Sequence, residues 1–157
     1  MTRDKQLDPV DLKIMQLLQV NGRMETVHVG NRVGRSTSAT LERIEQLVEL
    51  GYIKRFAAIL DRALVGRPTL MVTLVKLKAH GIEELHDFAQ AMALQPEVQV
   101  VLHLAGEFDF MLQVTVRDPA EYKLFLEHKL CVLPMVDKLH SSLVLEECKM
   151  EPALPLG

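Results

Sequence analysis

Only two cysteines, Cys131 and Cys148, occur in the 157 residues, too few for a disulfide framework or a paired-thiol metal site. They are expected as reduced side chains of a cytoplasmic protein. No apolar run reaches bilayer-crossing length and no signal-peptide pattern opens the chain, so neither a membrane span nor export is expected. The six histidines (His28, His80, His86, His103, His128, His140) are scattered and match no metal-ligand spacing. There is no Gly-rich phosphate loop, no nucleophile elbow and no Cys–His pair of recognisable spacing. The expectation is therefore a protein with no catalytic residues, metal or cofactor.

Apolar residues make up 48% of the chain, enough for one large or two small domains with buried cores. Charge is unevenly spread. Residues 1–60 hold nine Lys/Arg against seven Asp/Glu, whereas residues 61–157 hold nine against fourteen. A basic module joined to an acidic one suits a nucleic-acid-binding domain followed by a sensor.

Leu7-Asp8-Pro9-Val10-Asp11 predicts a helix start, with Asp8 as N-cap, Pro9 at N1 and Asp11 at the positive end of the helix dipole. Ile14, Leu17 and Leu18 give its apolar stripe, and Asn21-Gly22 stops it. From Glu25 to Ile53 the pattern reads helix, tight turn at Gly34, helix, the shape that enters a DNA major groove. Ser36 is the expected N-cap of the second of these helices and Gly51 its C′ residue. Leu41, Ile44, Leu47 and Val48 are assigned to its buried stripe. That leaves Thr37, Ser38, Thr40, Arg43 and Gln46 outside. Arg43, Ser38 and Thr40 are the expected base readers, and Arg35, Thr37 and Gln46 the expected phosphate contacts, beside the capping Ser36. Residues 53–60 read as a strand, completing a winged-helix outline.

Residues 61–67, with Gly66 and then Pro68, read as a linker. Beyond it the pattern is strand, helix, strand, strand, helix, strand: the ferredoxin-like βαββαβ motif. Leu70 to Val75 is apolar on both faces, which predicts that a second subunit covers the sheet. Phe108, Phe110, Leu112, Val114 and Val116 alternate with more polar residues as a half-buried strand. Asp118-Pro119-…-Glu121 caps the second helix. The last strand is expected from about Leu139 to Glu146. The fold class is thus α+β: a winged helix-turn-helix over 1–60, a linker over 61–67, and a ferredoxin-like domain over 68–157.

Several segments in their order and spacing resemble the leucine-responsive regulatory protein/AsnC family. They include Leu7-Asp8-…-Asp11-…-Ile14, Asn21-Gly22-Arg23, Val33-Gly34, Ser36-…-Ser38-Ala39 and Arg43-Ile44-…-Leu47. Further on, Pro96-Glu97-Val98, Gly106-Glu107-Phe108-Asp109, Ser141-Ser142-Leu143 and Leu154-Pro155-Leu156 resemble the same family's sensor domain. Three positions depart from its pattern: Gly30 for a usual Ala, Arg35 for a usual Leu and Val48 for a usual Glu. The resemblance implies a transcriptional regulator that binds double-stranded DNA and an amino-acid effector. It also implies dimers paired through their sheets, assembling into tetramers or octamers. The effector site it implies is the loop Ala105, Gly106, Glu107 and Asp109, with Ser141 and Ser142 nearby. Asp109 would take the α-ammonium and loop amides the α-carboxylate. Siroheme decarboxylases resemble the family in both domains but bind a tetrapyrrole; the hydroxyl-rich second helix here favours DNA. A sensor that no longer binds DNA is the other alternative.

Overall fold

The computed structural model describes residues 7–156, so the extreme ends of the two expected domains, residues 1–6 and Gly157, lie outside the described residues. The chain divides into two compact units. One runs to Ile59 and also takes the segment from Lys149 onward; the other spans Leu60–Cys148. The C-terminal segment, expected within the ferredoxin-like domain, therefore belongs with the helical unit.

The helical unit holds α1 (Pro9–Val20), α2 (Thr26–Val33) and α3 (Thr37–Glu49). Asp8 caps α1 as its sequence predicts. Its carboxylate accepts from the Asp11 N–H at 2.8 Å, and Asp11 returns the bond to the Asp8 N–H at 3.4 Å. The turn after α2 needs a left-handed residue and Gly34 supplies it, with φ +68°. Gly30 has a packing role. A Cβ there would lie 2.8 Å from the Arg35 carbonyl and 3.0 Å from the Thr40 hydroxyl. The helix-propensity loss of about 0.5–1 kcal/mol accompanies a close approach of α2 to the start of α3. Ile14, Met15, Leu18, Val29 and Leu47 form the core of this unit.

Two expectations fail in this unit. Residues 53–60 form no strand. Their β-rich composition is not enough, because a strand exists only by exchanging hydrogen bonds with a neighbour, and none pairs with them here. The buried stripe of α3 is also rotated from the expected one. Leu41 and Val48 are exposed, whereas Thr40 and Leu47 are fully buried.

The second unit carries β1 (Thr69–Leu77), α4 (Ile82–Ala93), β2 (Val98–His103), β3 (Phe110–Val116), α5 (Pro119–Phe125) and β4 (Val136–Leu143). α5 runs on into a π-helical turn, Leu126–Leu130. The sheet order is β2-β3-β1-β4 and every pairing is antiparallel, which is the ferredoxin-like arrangement the sequence predicts. β4 starts and ends about three residues before its expected position. On the core face Val75 opposes Phe110 and Thr73 opposes Leu112. Phe88 and Met92 of α4, with Tyr122 and Phe125 of α5, pack into the same cluster, so both helices cover one face. The other face carries Val72, Leu74, Met111 and Gln113, all half-buried.

Candidate DNA and effector sites

α3 begins with a capped, polar N-terminus. The Ser36 hydroxyl accepts from the Ala39 N–H at 3.3 Å and lies 3.3 Å from the Ser38 hydroxyl. Arg35, Ser36, Thr37 and Ser38 are all exposed. The stretch carries hydroxyls and an arginine at a helix N-terminus, group types that suit an anion. Gln46 is half-buried further along the helix.

Two expected base readers are elsewhere. Thr40 is fully buried and donates its hydroxyl hydrogen to the Ser36 carbonyl at 2.8 Å. Arg43 turns inward. One of its Nη atoms lies 2.7 Å from Asp8 and 2.8 Å from Asp11, whose side chain is fully buried. The pair ties α3 to the N-terminus of α1. The Asp11 N–H bond first, and then Arg43, hold the Asp8 carboxyl below its ordinary value, while the two carboxylates raise the Arg43 value. The cause of the misreading is the stripe. Placing Leu41 and Val48 inside rotates Arg43 outside, and only the carboxylates at positions 8 and 11 signal the reverse. With the true rotation, Leu41, Glu42 and Glu45 join the outer face. Exposed Arg23, Arg32, Lys54 and Arg55 are further cations of the unit that the sequence reading passed over.

In the second unit, Ala105, Gly106 and Glu107 form an exposed loop between β2 and β3. Gly106 is not at positive φ, and an added Cβ there would meet nothing within 4 Å. Glu107 lies 3.6 Å from Lys138, which also stands 5.6 Å over the Phe108 ring. Asp109 is buried and committed. Its Oδ2 accepts from the Leu77 N–H at 2.7 Å and its Oδ1 sits 3.1 Å from His80 Nε2. It anchors the base of the loop to the end of β1, where the expectation had it open to an ammonium group. Ser141 faces the helices and accepts from the Tyr122 hydroxyl at 2.6 Å, which also lies 2.6 Å from the Thr73 hydroxyl. Ser142 is on the other face, 3.5 Å from His140 Nε2. The two serines thus fall on opposite faces of one strand, as a two-residue period requires. Among the described residues, no group of three or more His, Cys, Asp or Glu side chains gathers to hold a metal ion. No helix among them is long and apolar enough to cross a membrane.

Residues 7–48 match the AsnC-type helix-turn-helix domain and residues 70–154 match the Lrp/AsnC ligand binding domain. The chain belongs to the Lrp/AsnC family of transcriptional regulators. It is 35% identical to the leucine-responsive regulatory protein of Haemophilus influenzae, over 98% of this chain and 93% of that one. It is 31% identical to the Bkd operon transcriptional regulator of Pseudomonas aeruginosa, over 96% and 99%. Among solved structures, a transcriptional regulator of Neisseria meningitidis in complex with L-Met superposes with a TM-score of 0.89 at 34% identity, over 96% of this chain and 97% of that one. An AsnC family regulator from Agrobacterium tumefaciens gives 0.88 at 29% identity, over the same shares. In this Lrp/AsnC chain the helix-turn-helix is α2 and α3, and the ligand-binding domain is the βαββαβ unit.

Proposed function

We propose that the chain is a cytoplasmic regulator, without catalytic activity or cofactor, that binds operator DNA through the start of α3. An amino acid bound at the ligand-binding domain sets its activity or assembly. The observation that carries this reading is the exposed row Arg35, Ser36, Thr37 and Ser38 at a capped helix N-terminus within a helix-turn-helix. Ser38 is the proposed base reader, and Arg35, Thr37, Gln46 and the capped N-terminus hold phosphates. A dimer formed through the sheet faces would present two such helices to half-sites about one helical turn apart. Higher assembly to tetramers or octamers would bring effector loops together. The relative crystallised with L-Met makes methionine the first effector to test.

The test is a gel shift on the promoter of the protein's own gene, across a salt series, with and without each common amino acid. Specific binding that changes with at least one amino acid is expected. Binding no better than to unrelated DNA would overturn the reading. In the same assay, Arg35→Gln should weaken all sequences alike and lower the salt slope by about one. A variant with an unchanged slope would remove Arg35 from the phosphate contacts.

A further inference from the structure

The segment from Lys149 lies largely within the stretch that matches the ligand-binding domain, yet it packs with the helical unit. Gln19, near the end of α1, treats Leu154 as a strand treats its neighbour. Its Nε2 donates to the Leu154 carbonyl at 2.8 Å, and its Oε1 accepts from the Leu154 N–H at 3.0 Å. One turn earlier on the same face, Gln16 Nε2 donates to the Leu156 carbonyl at 3.1 Å. Leu156 packs on the helical core. An open groove of about 210 Å³ lies beside it, lined by Met15, Leu18, Tyr52, Ile53 and Phe56, with Leu154 and Leu156 as one wall. Leu154 itself is 67% exposed. A few side-chain hydrogen bonds and one inserted leucine make a contact that opens at low cost compared with the core.

Each end of this segment is tied to a different unit. Upstream, Val144 donates to the Leu70 carbonyl and Glu147 pairs with Arg62, both within the second unit. From Glu147 to Leu154 the chain reaches at most about 25 Å when fully extended. Downstream, the docked end grips α1, whose N-terminus holds α3 through Asp8, Asp11 and Arg43. The domains are thus joined by two strands of chain, one at 59–60 and one through this segment.

We infer that residues 149–156 are a releasable strap occupying a groove on the chain's own α1, and that the docked strap is the state in which α3 binds DNA tightly. The inference rests on the reading of the helical unit as the DNA-binding one. A displacement of β4 that exceeds the slack of the segment must drag α1 or undock the strap. The ligand-binding domain therefore has a covalent route to the recognition helix besides the linker.

The experiment uses full-length protein and Gln19→Leu, which keeps a good helix former on α1 but offers Leu154 neither donor nor acceptor. Carboxypeptidase trimming of the C-terminus reads docking, and the gel shift reads DNA affinity. Loss of two hydrogen bonds should speed trimming about tenfold or more, with DNA affinity falling severalfold. Leu156→Ser should act in the same direction. Equal trimming of wild type and both variants would show that the segment is not docked. Faster trimming with unchanged DNA affinity would show a docked segment without influence on α3; either result overturns the inference. If wild type binds no DNA, the proposed function fails, while the trimming contrast still judges docking. A disulfide between cysteines placed at positions 19 and 154, in a Cys131→Ser, Cys148→Ser background, should run as monomer on a non-reducing gel. A dimer band would assign the groove to the partner's tail and overturn the intrachain strap.

Discussion

Arg43→Met is expected to unfold the helical unit more readily and to abolish operator binding through lost stability, with no change in base preference in whatever binding survives. The Asp11 side chain is fully buried, and Arg43 is its ionic partner at 2.8 Å. Removing one member of a buried pair typically costs about 3–5 kcal/mol, because the remaining buried charge loses that attraction and keeps its desolvation cost. Arg43 is itself 27% exposed, so the lower end, about 3 kcal/mol, is the expectation. In a unit of this size that lowers its Tm by about 10–20 °C. Adding Asp11→Leu to Arg43→Met should return much of the loss, since an apolar pair leaves no orphan charge. Calorimetry of the single and double variants decides. If Arg43→Met melts like wild type while its operator preference changes, Arg43 reads bases after all and the inward pair is not its role.

The same clamp has a pH dependence. Asp8 is held below its ordinary carboxyl value by the Asp11 N–H and by Arg43. A group depressed in the folded state adds stability that is present above its unfolded value and lost as pH falls through the folded one. The helical unit should therefore weaken below about pH 4, the ordinary aspartate range. Asp8→Asn should flatten that part of the Tm-against-pH curve. A curve of unchanged shape would deny Asp8 its part in the clamp.

Local chemistry made much of this fold legible. Asp8 with Asp11, Ser36 with Ala39, and Asp118 with Glu121 are interactions over three residues. Such bonds need no knowledge of the rest of the chain. Glu121 shows how fine the limits are. Its carboxylate reaches back to the Arg117 N–H at 2.6 Å, the residue before the cap, and that bond is the first cause that holds the Glu121 carboxyl below its ordinary value. Alternation in β3 was equally plain because one face is buried. What was hidden depends on distant partners. Arg43 meets carboxylates 32 and 35 residues away, and Asp109 meets an amide 32 residues away. Gln19 meets a backbone 135 residues on. Apolarity alone put Leu41 and Val48 inside α3, but helix rotation is set by what the facing helix offers, here two carboxylates.

Asp109 gives the second large effect. Asp109→Ala should destabilise the ligand-binding domain and eliminate its response to an amino acid together. The substitution strands the buried Leu77 N–H, which costs about 1–3 kcal/mol, and frees the base of the 105–109 loop. That outcome alone does not say whether Asp109 touches the effector. Asp109→Asn does. An asparagine oxygen can still accept from the Leu77 N–H and its amide can face His80, so the loop keeps its anchor without a negative charge. If Asp109 acts only on the loop, the Asn variant should melt near wild type and bind the effector with affinity within a few-fold. If its charge meets the α-ammonium, the Asn variant should stay folded and lose binding, because a charge-assisted bond is roughly twice as strong as a neutral one. The geometry favours the first result: both carboxylate oxygens already have partners in the chain, at 2.7 and 3.1 Å. Calorimetric titration of both variants with the amino acid that shifts the wild type separates the two. A folded Asp109→Asn protein that no longer binds would return Asp109 to the effector site and make Leu77 and His80 its positioning partners.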